Sequence, residues 1–101
     1  MDYKQEQLES KIFLVSKAWK KIRSIALEIY PKICMNCSAY SNRFNVDHIY
    51  PRKYYPNLAL DLNNLQILCP YCNFSKGNTV MDYRKEADLE KLREYLIKYP
   101  L

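Results

Sequence analysis

Residues 44–76 read FNVDHIYPRKYYPNLALDLNNLQILCPYCNFSK, and what brackets this stretch decides the fold. Near its end stand Cys69 and Cys72 with two residues between them, and the same spacing occurs upstream in Cys34-Met-Asn-Cys37. Two intervening residues let both sulfurs of a pair converge on one ion, and two such pairs complete a tetrahedron of thiolates. Two disulfides, a redox CxxC or buried free thiols are the alternatives. The N-terminus, MDYKQEQLESK, is charged where a signal peptide turns apolar, so the expectation is a cytoplasmic, reducing setting and a structural zinc. The gap between the pairs, residues 38–68, is longer than a simple zinc ribbon needs, so another folded element lies inside it.

Working outward, Phe44, Val46 and Ile49 alternate with polar residues and predict a short extended segment. Pro51 and Pro56 mark a loop running to Asp61, and Asn64–Leu68 is a second extended piece. Pro70 sits where a helix can begin, because its missing N–H costs nothing in a first turn. Upstream, Leu8, Ile12, Val15, Trp19, Ile22, Ala26 and Ile29 recur at steps of four and three. That stripe predicts one long helix over about 3–29, packed on the core of its own domain or forming a coiled-coil seam in a dimer. Downstream, Thr79 and Asp82 resemble a capping box and predict a helix over about 79–99, with Tyr83, Ala87, Leu92, Leu96 and Tyr99 on its buried stripe. The expected fold class is a small α+β domain: a two-strand-and-helix core over about 31–78, stapled by a four-cysteine zinc site and flanked by the two helices.

At 101 residues the chain is one domain, 1–101, with a core thin enough to need such a staple. Sixteen Lys and Arg against eleven Asp and Glu give +5, which favours a polyanionic partner, nucleic acid or an anionic surface. No run approaches the roughly 18 apolar residues of a membrane span, so no membrane association is expected. A single Gly, Gly77, excludes a glycine-rich phosphate loop.

His48 is the only histidine, and Asp47 directly precedes it. Alone, such a pair is more often structural than catalytic. Its surroundings are more specific: Asn64 opens an Asn-Leu-Gln string that ends in Cys69, Asn73 follows Cys72 directly, and Lys76 lies beyond. This order of CxxC, DHIxP, NLQxLC and CxxCN resembles the HNH endonucleases of the zinc-knuckle ββα-metal type, and Trp19 with Ile22-Arg23 is similar to that family's lead-in. The resemblance runs from Trp19 to Asn78, about 60% of the chain. Asn73 is the departure: many members carry His there, although a His-Asn-Asn form is also known.

The resemblance implies an enzyme that hydrolyses DNA phosphodiester bonds. His48 would be the general base, in keeping with an imidazole pKa of about 6.5. Asp47 and Asn73 would hold a catalytic divalent cation, and their hard oxygen ligands suit magnesium or manganese. Asn64 would fix the loop that orients His48, or else is simply a turn residue. Cys34, Cys37, Cys69 and Cys72 would hold the zinc. From their own chemistry Arg52 and Lys53, next to Tyr54 and Tyr55, are expected at DNA phosphates, and Lys76 at a phosphate or as a cap on the local fold. The N-terminal helix offers a surface for a homodimer or a larger nucleoprotein partner. The competing expectation is a zinc-dependent DNA-binding or docking module without catalysis.

Overall fold

The computed structural model describes residues 3–40 and 42–100, with residues 3–7 described by their backbone alone. The ends of the expected domain, residues 1, 2 and 101, lie outside it. Its elements are helices α1 (Tyr3–Val15) and α2 (Lys17–Ile29), strand β1 (Asn45–His48), strand β2 (Leu65–Leu68), and helices α3 (Pro70–Lys76) and α4 (Glu86–Lys98). Two short 3-10 turns, Pro56–Leu58 and Leu62–Asn64, shape the loop between the strands.

The lead-in is two helices rather than one, and Ser16 makes the break. Its backbone is extended (φ −66°, ψ 147°), its hydroxyl accepts the Trp19 N–H, and it also donates to the Phe13 carbonyl. One hydroxyl thereby serves the end of α1 and the start of α2, and it satisfies one of the orphan backbone donors that open α2. The bend splits the apolar stripe. On α2 it is covered, with Trp19 and Ala26 buried and Ile22 and Ile29 half-buried, whereas on α1 Leu8, Ile12 and Val15 are all more than half exposed. What α1 turns toward the domain instead is Phe13 and Ser10.

Strands β1 and β2 pair antiparallel, with Val46 opposite Ile67, Asp47 opposite Gln66 and His48 opposite Leu65. Every residue of β2 is buried, so it reads as a short continuous run and not as an alternating strand. Around Leu65, Ile67 and Leu68 the core gathers Trp19 and Ala26 of α2, Met35 of the first knuckle and Leu92 of α4. A folded element does lie between the cysteine pairs: both strands and the loop that joins them.

The C-terminal helix starts seven residues later than Thr79 would place it. Asp82 is held by the Arg84 guanidinium and backbone, so it caps nothing, and the cap is the Asp88 carboxylate accepting the Lys85 N–H at 2.9 Å. The intervening segment is extended because Gln66 binds its backbone at Met81 and Tyr83. Of the expected stripe, Leu92 is buried, Tyr83 and Leu96 are half-buried, and Ala87 and Tyr99 are exposed. Among the described residues no helix is long and apolar enough to cross a membrane.

Candidate active site

The cysteines come first, because they set where the rest can be. All four are free, and their sulfurs lie within 4.8 Å of one another. The Cys37 and Cys69 sulfurs are 3.8 Å apart, the edge of a tetrahedron with Zn–S bonds of about 2.3 Å. In each knuckle the second cysteine's N–H points back at the first sulfur, Cys37 to Cys34 at 3.5 Å and Cys72 to Cys69 at 3.4 Å. The Asn36 amide adds a donor to the Cys72 sulfur at 3.5 Å. N–H groups aimed at sulfur stabilise thiolates, which a metal requires. The cluster is compatible with a zinc site. Ser38, just past the first knuckle, takes a left-handed φ of 65° as the chain turns back to close the Ile33–Tyr40 bridge.

Cys69 also caps α3, its sulfur sitting at the N-terminus of the helix that carries Asn73. Asn73 follows Cys72, so the second knuckle fixes its position on the first turn. Gly77 ends this helix at φ 55°, ψ −135°, a conformation that L side chains avoid, and so the only glycine is spent where α3 must stop beside the site.

Asp47, His48 and Asn73 line one cleft of about 790 Å³. His48 Nε2 lies 2.8 Å from the Ala59 carbonyl oxygen. A carbonyl only accepts, so Nε2 carries the proton and Nδ1 carries the lone pair. The ring stacks on Trp19 at 4.9 Å between centroids. Burial is the main force that holds the imidazole below its ordinary pKa, with Arg52 acting the same way and the Ala59 bond and Asp47 opposing it. The neutral form of the ring is accordingly favoured more than in a free imidazole.

Asn64 supports this arrangement from beneath. Buried, it accepts the Tyr50 N–H at 2.9 Å and donates to the carbonyls of Tyr50 (3.0 Å) and Leu58 (3.1 Å). Both ends of the loop are thus held to one amide, one residue short of the carbonyl that meets His48.

Asp47 is buried, and burial pushes its carboxyl above the usual range while Gln66 and Lys76 pull it back. Gln66 Nε2 donates to Oδ2 at 2.9 Å, and Lys76 Nζ stands 3.2 Å from the same oxygen. Lys76 therefore does not reach for a phosphate. Its side chain is 1% exposed, and its ammonium also bonds the His48 carbonyl at 2.9 Å, so of its two expected roles it fills the local, structural one.

Arg52 and Lys53 do line the cleft. Arg52 is half-buried, donates to Ser10 Oγ at 2.7 Å and lies 4.5 Å over the Phe13 ring, so α1 holds it at the cleft's edge. Lys53 is exposed, with its ammonium 5.7 Å from the Tyr54 ring. Sequence reasoning missed Glu9 and Ser10, which line the same cleft from α1 only because the chain bends at Ser16. It also missed Gln66, for which the signal was a lone amide inside an apolar strand.

A carboxylate and an amide on one cleft are hard oxygen donors of the kind a divalent cation takes. Two short strands and a helix, clasped by four thiols and presenting Asp, His and Asn on one wall, define a ββα zinc-knuckle domain. Residues 33–79 match the model of the HNH endonuclease family, and this part of the chain is an HNH domain. No curated protein and no solved structure matches the chain. The domain places the chain, at a coarse level, among nucleases and DNA-binding proteins.

Proposed function

We propose that the chain is a metal-dependent endonuclease that hydrolyses DNA phosphodiester bonds. One observation carries this: the only histidine has Nε2 tied to the Ala59 carbonyl, which leaves Nδ1 as the acceptor, and it lies on the same cleft as Asp47 and Asn73. His48 takes a proton from the attacking water through Nδ1 as the new P–O bond forms, while the P–O bond to the leaving sugar oxygen breaks and that oxygen takes its proton from solvent. The Ala59 carbonyl then stabilises the imidazolium, and the stacked Trp19 keeps the ring from turning. Asp47 and Asn73 would hold magnesium or manganese, which as a Lewis acid supplies neutralisation of charge on the phosphate and the leaving oxygen. The cysteines would hold zinc with no open position, a structural role. Arg52 and Lys53 take the flanking phosphates, which positions the duplex without reading its sequence. The setting is the reducing cytoplasm, where the thiols stay available to metal.

A second reading has one observation in its favour. Lys76 already pairs with Asp47, as it would in a zinc-dependent module that only binds DNA or docks on a larger complex, with exposed Leu8, Ile12 and Val15 as the contact surface. The assay that separates the two is nicking of supercoiled plasmid by zinc-loaded protein in magnesium, in manganese or with neither added, beside His48→Ala. Metal-dependent relaxation that His48→Ala abolishes is the expected result. Intact plasmid in every metal, with binding retained, selects the module instead.

A further inference from the structure

Gln66 is an amide in the middle of an otherwise apolar strand and is fully buried, at 0% exposure. An amide there must have every polar atom bonded, since each orphan group costs the free energy of its lost hydration. Its Oε1 accepts the Tyr83 N–H at 2.8 Å, and its Nε2 donates to the Met81 carbonyl at 2.8 Å and to Asp47 Oδ2 at 2.9 Å. Two of those bonds go to backbone and fix the plane of the amide. The third is then aimed at the carboxylate directly across the sheet, in the Asp47–Gln66 register pair. Lys76 supplies charge to Asp47 as a compact ammonium also bonded to the His48 carbonyl, whereas the Gln66 amide, its plane fixed by two backbone bonds, gives the carboxylate a direction.

We infer that Gln66 is a positioning residue that aims the Asp47 carboxylate at a divalent cation in the cleft, and that through Gln66 the segment Met81–Tyr83 belongs to the site. The segment lies beyond the residues that match the HNH model. It is fastened independently by Arg84, whose guanidinium bonds the Asn63 carbonyl at 2.7 Å. This inference rests on the endonuclease reading, because it assigns Asp47 to a cation.

The test is a manganese titration of the zinc-loaded protein, with bound ion followed by electron paramagnetic resonance. Gln66→Met keeps the length and volume of the side chain and removes the donor. Loss of a partner that orients a metal ligand weakens binding by about 10–100-fold, and that is the expected loss of manganese affinity. Plasmid binding by the zinc-loaded protein without added magnesium or manganese stays as in wild type, and nicking recovers when manganese is raised to saturation. Unchanged manganese affinity, with only a lower melting temperature, makes Gln66 a structural residue and overturns the inference. A wild-type protein that binds no manganese overturns the endonuclease reading itself, and the inference with it. Should Gln66→Met fail to fold, Gln66→Asn keeps an amide but shortens its reach, and the same weakening is expected. Arg84→Ala loosens the segment from its far end and gives a smaller loss of the same sign; no loss there removes the segment from the site.

Discussion

Replacing Asn64 by Ala removes three hydrogen bonds at once, from Tyr50 N–H and to the carbonyls of Tyr50 and Leu58. Each is worth about 0.5–1.5 kcal/mol net, and the side chain is 5% exposed, so water recovers little of the loss. The sum is about 2–4 kcal/mol. In a domain of this size about 1 kcal/mol moves the melting temperature by roughly 4–8 °C, which places the variant about 8–32 °C below wild type. The same change frees the loop that presents the Ala59 carbonyl to His48. A displacement of about 1 Å at a reacting group costs on the order of a hundredfold in rate, so nicking falls far more than the folded fraction does. Asn64→Asp keeps the acceptor for the Tyr50 N–H but turns a buried carboxylate oxygen on two carbonyls, so it is destabilised at least as much as Asn64→Ala. Thermal unfolding of the zinc-loaded proteins by circular dichroism, with nicking assayed well below each transition, measures both effects. A melting temperature within about 3 °C of wild type, or a full rate per folded molecule, would refute the reasoning.

Three further outcomes follow from the same geometry. Chelating the zinc abolishes the cooperative melting transition, since a structural zinc site contributes about 10–16 kcal/mol of apparent binding energy to folding, and Cys37→Ser acts in the same direction; a transition that survives chelation counts against the zinc. The nicking rate rises with pH through a midpoint below 6.5 and is flat from neutrality upward, because burial holds His48 below its ordinary value and only the neutral ring is a base. Its folded pKa being the lower one, stability that is present above pH 6.5 declines as pH falls through that value, and a rate midpoint above 7 would contradict both statements. Lys76→Met strips a buried carboxylate of its cation and costs about 3–5 kcal/mol in urea unfolding, yet leaves the salt dependence of plasmid binding unchanged; a salt slope smaller by about one unit would mean that Lys76 meets phosphate after all.

The parts of this fold that the sequence announces are those set by local chemistry. Two CxxC pairs specify a thiol cluster from spacing alone, and the order of motifs around them points to the HNH family. The break at Ser16 was hidden because the four-and-three spacing runs straight across it, and no Gly or Pro marks the bend. A hydroxyl capping both helices does the work, and serine is too ordinary a residue to signal it. Thr79 and Asp82 imitated a helix start that tertiary contacts override, since Arg84 and Gln66 claim the segment first. Lys76 shows the limit most plainly. A lysine beyond a zinc knuckle in a basic chain invites a phosphate reading, and only the packing of α3 on β1 reveals that its ammonium is buried against Asp47 and the His48 carbonyl.

The neck of the loop between the strands has a bearing on what this scaffold can become. Ile49 N–H meets the Asn64 carbonyl at 2.9 Å, and the Asn64 side chain pins Tyr50 and Leu58, so the loop is closed below its tip by bonds that do not involve Lys53, Tyr54 or Tyr55. Closure entropy grows only with the logarithm of length, about 0.6 kcal/mol for each doubling. A longer tip can therefore be grafted between Lys53 and Tyr55 at small cost to folding, while the carbonyl that fixes the His48 tautomer stays where it is. The tip borders the cleft, so on the proposed endonuclease function an insertion there would lie beside the bound DNA. On that proposal the scaffold would separate its chemistry from its choice of target, and a descendant could acquire sequence preference at the tip while the bonds that hold His48 stay in place.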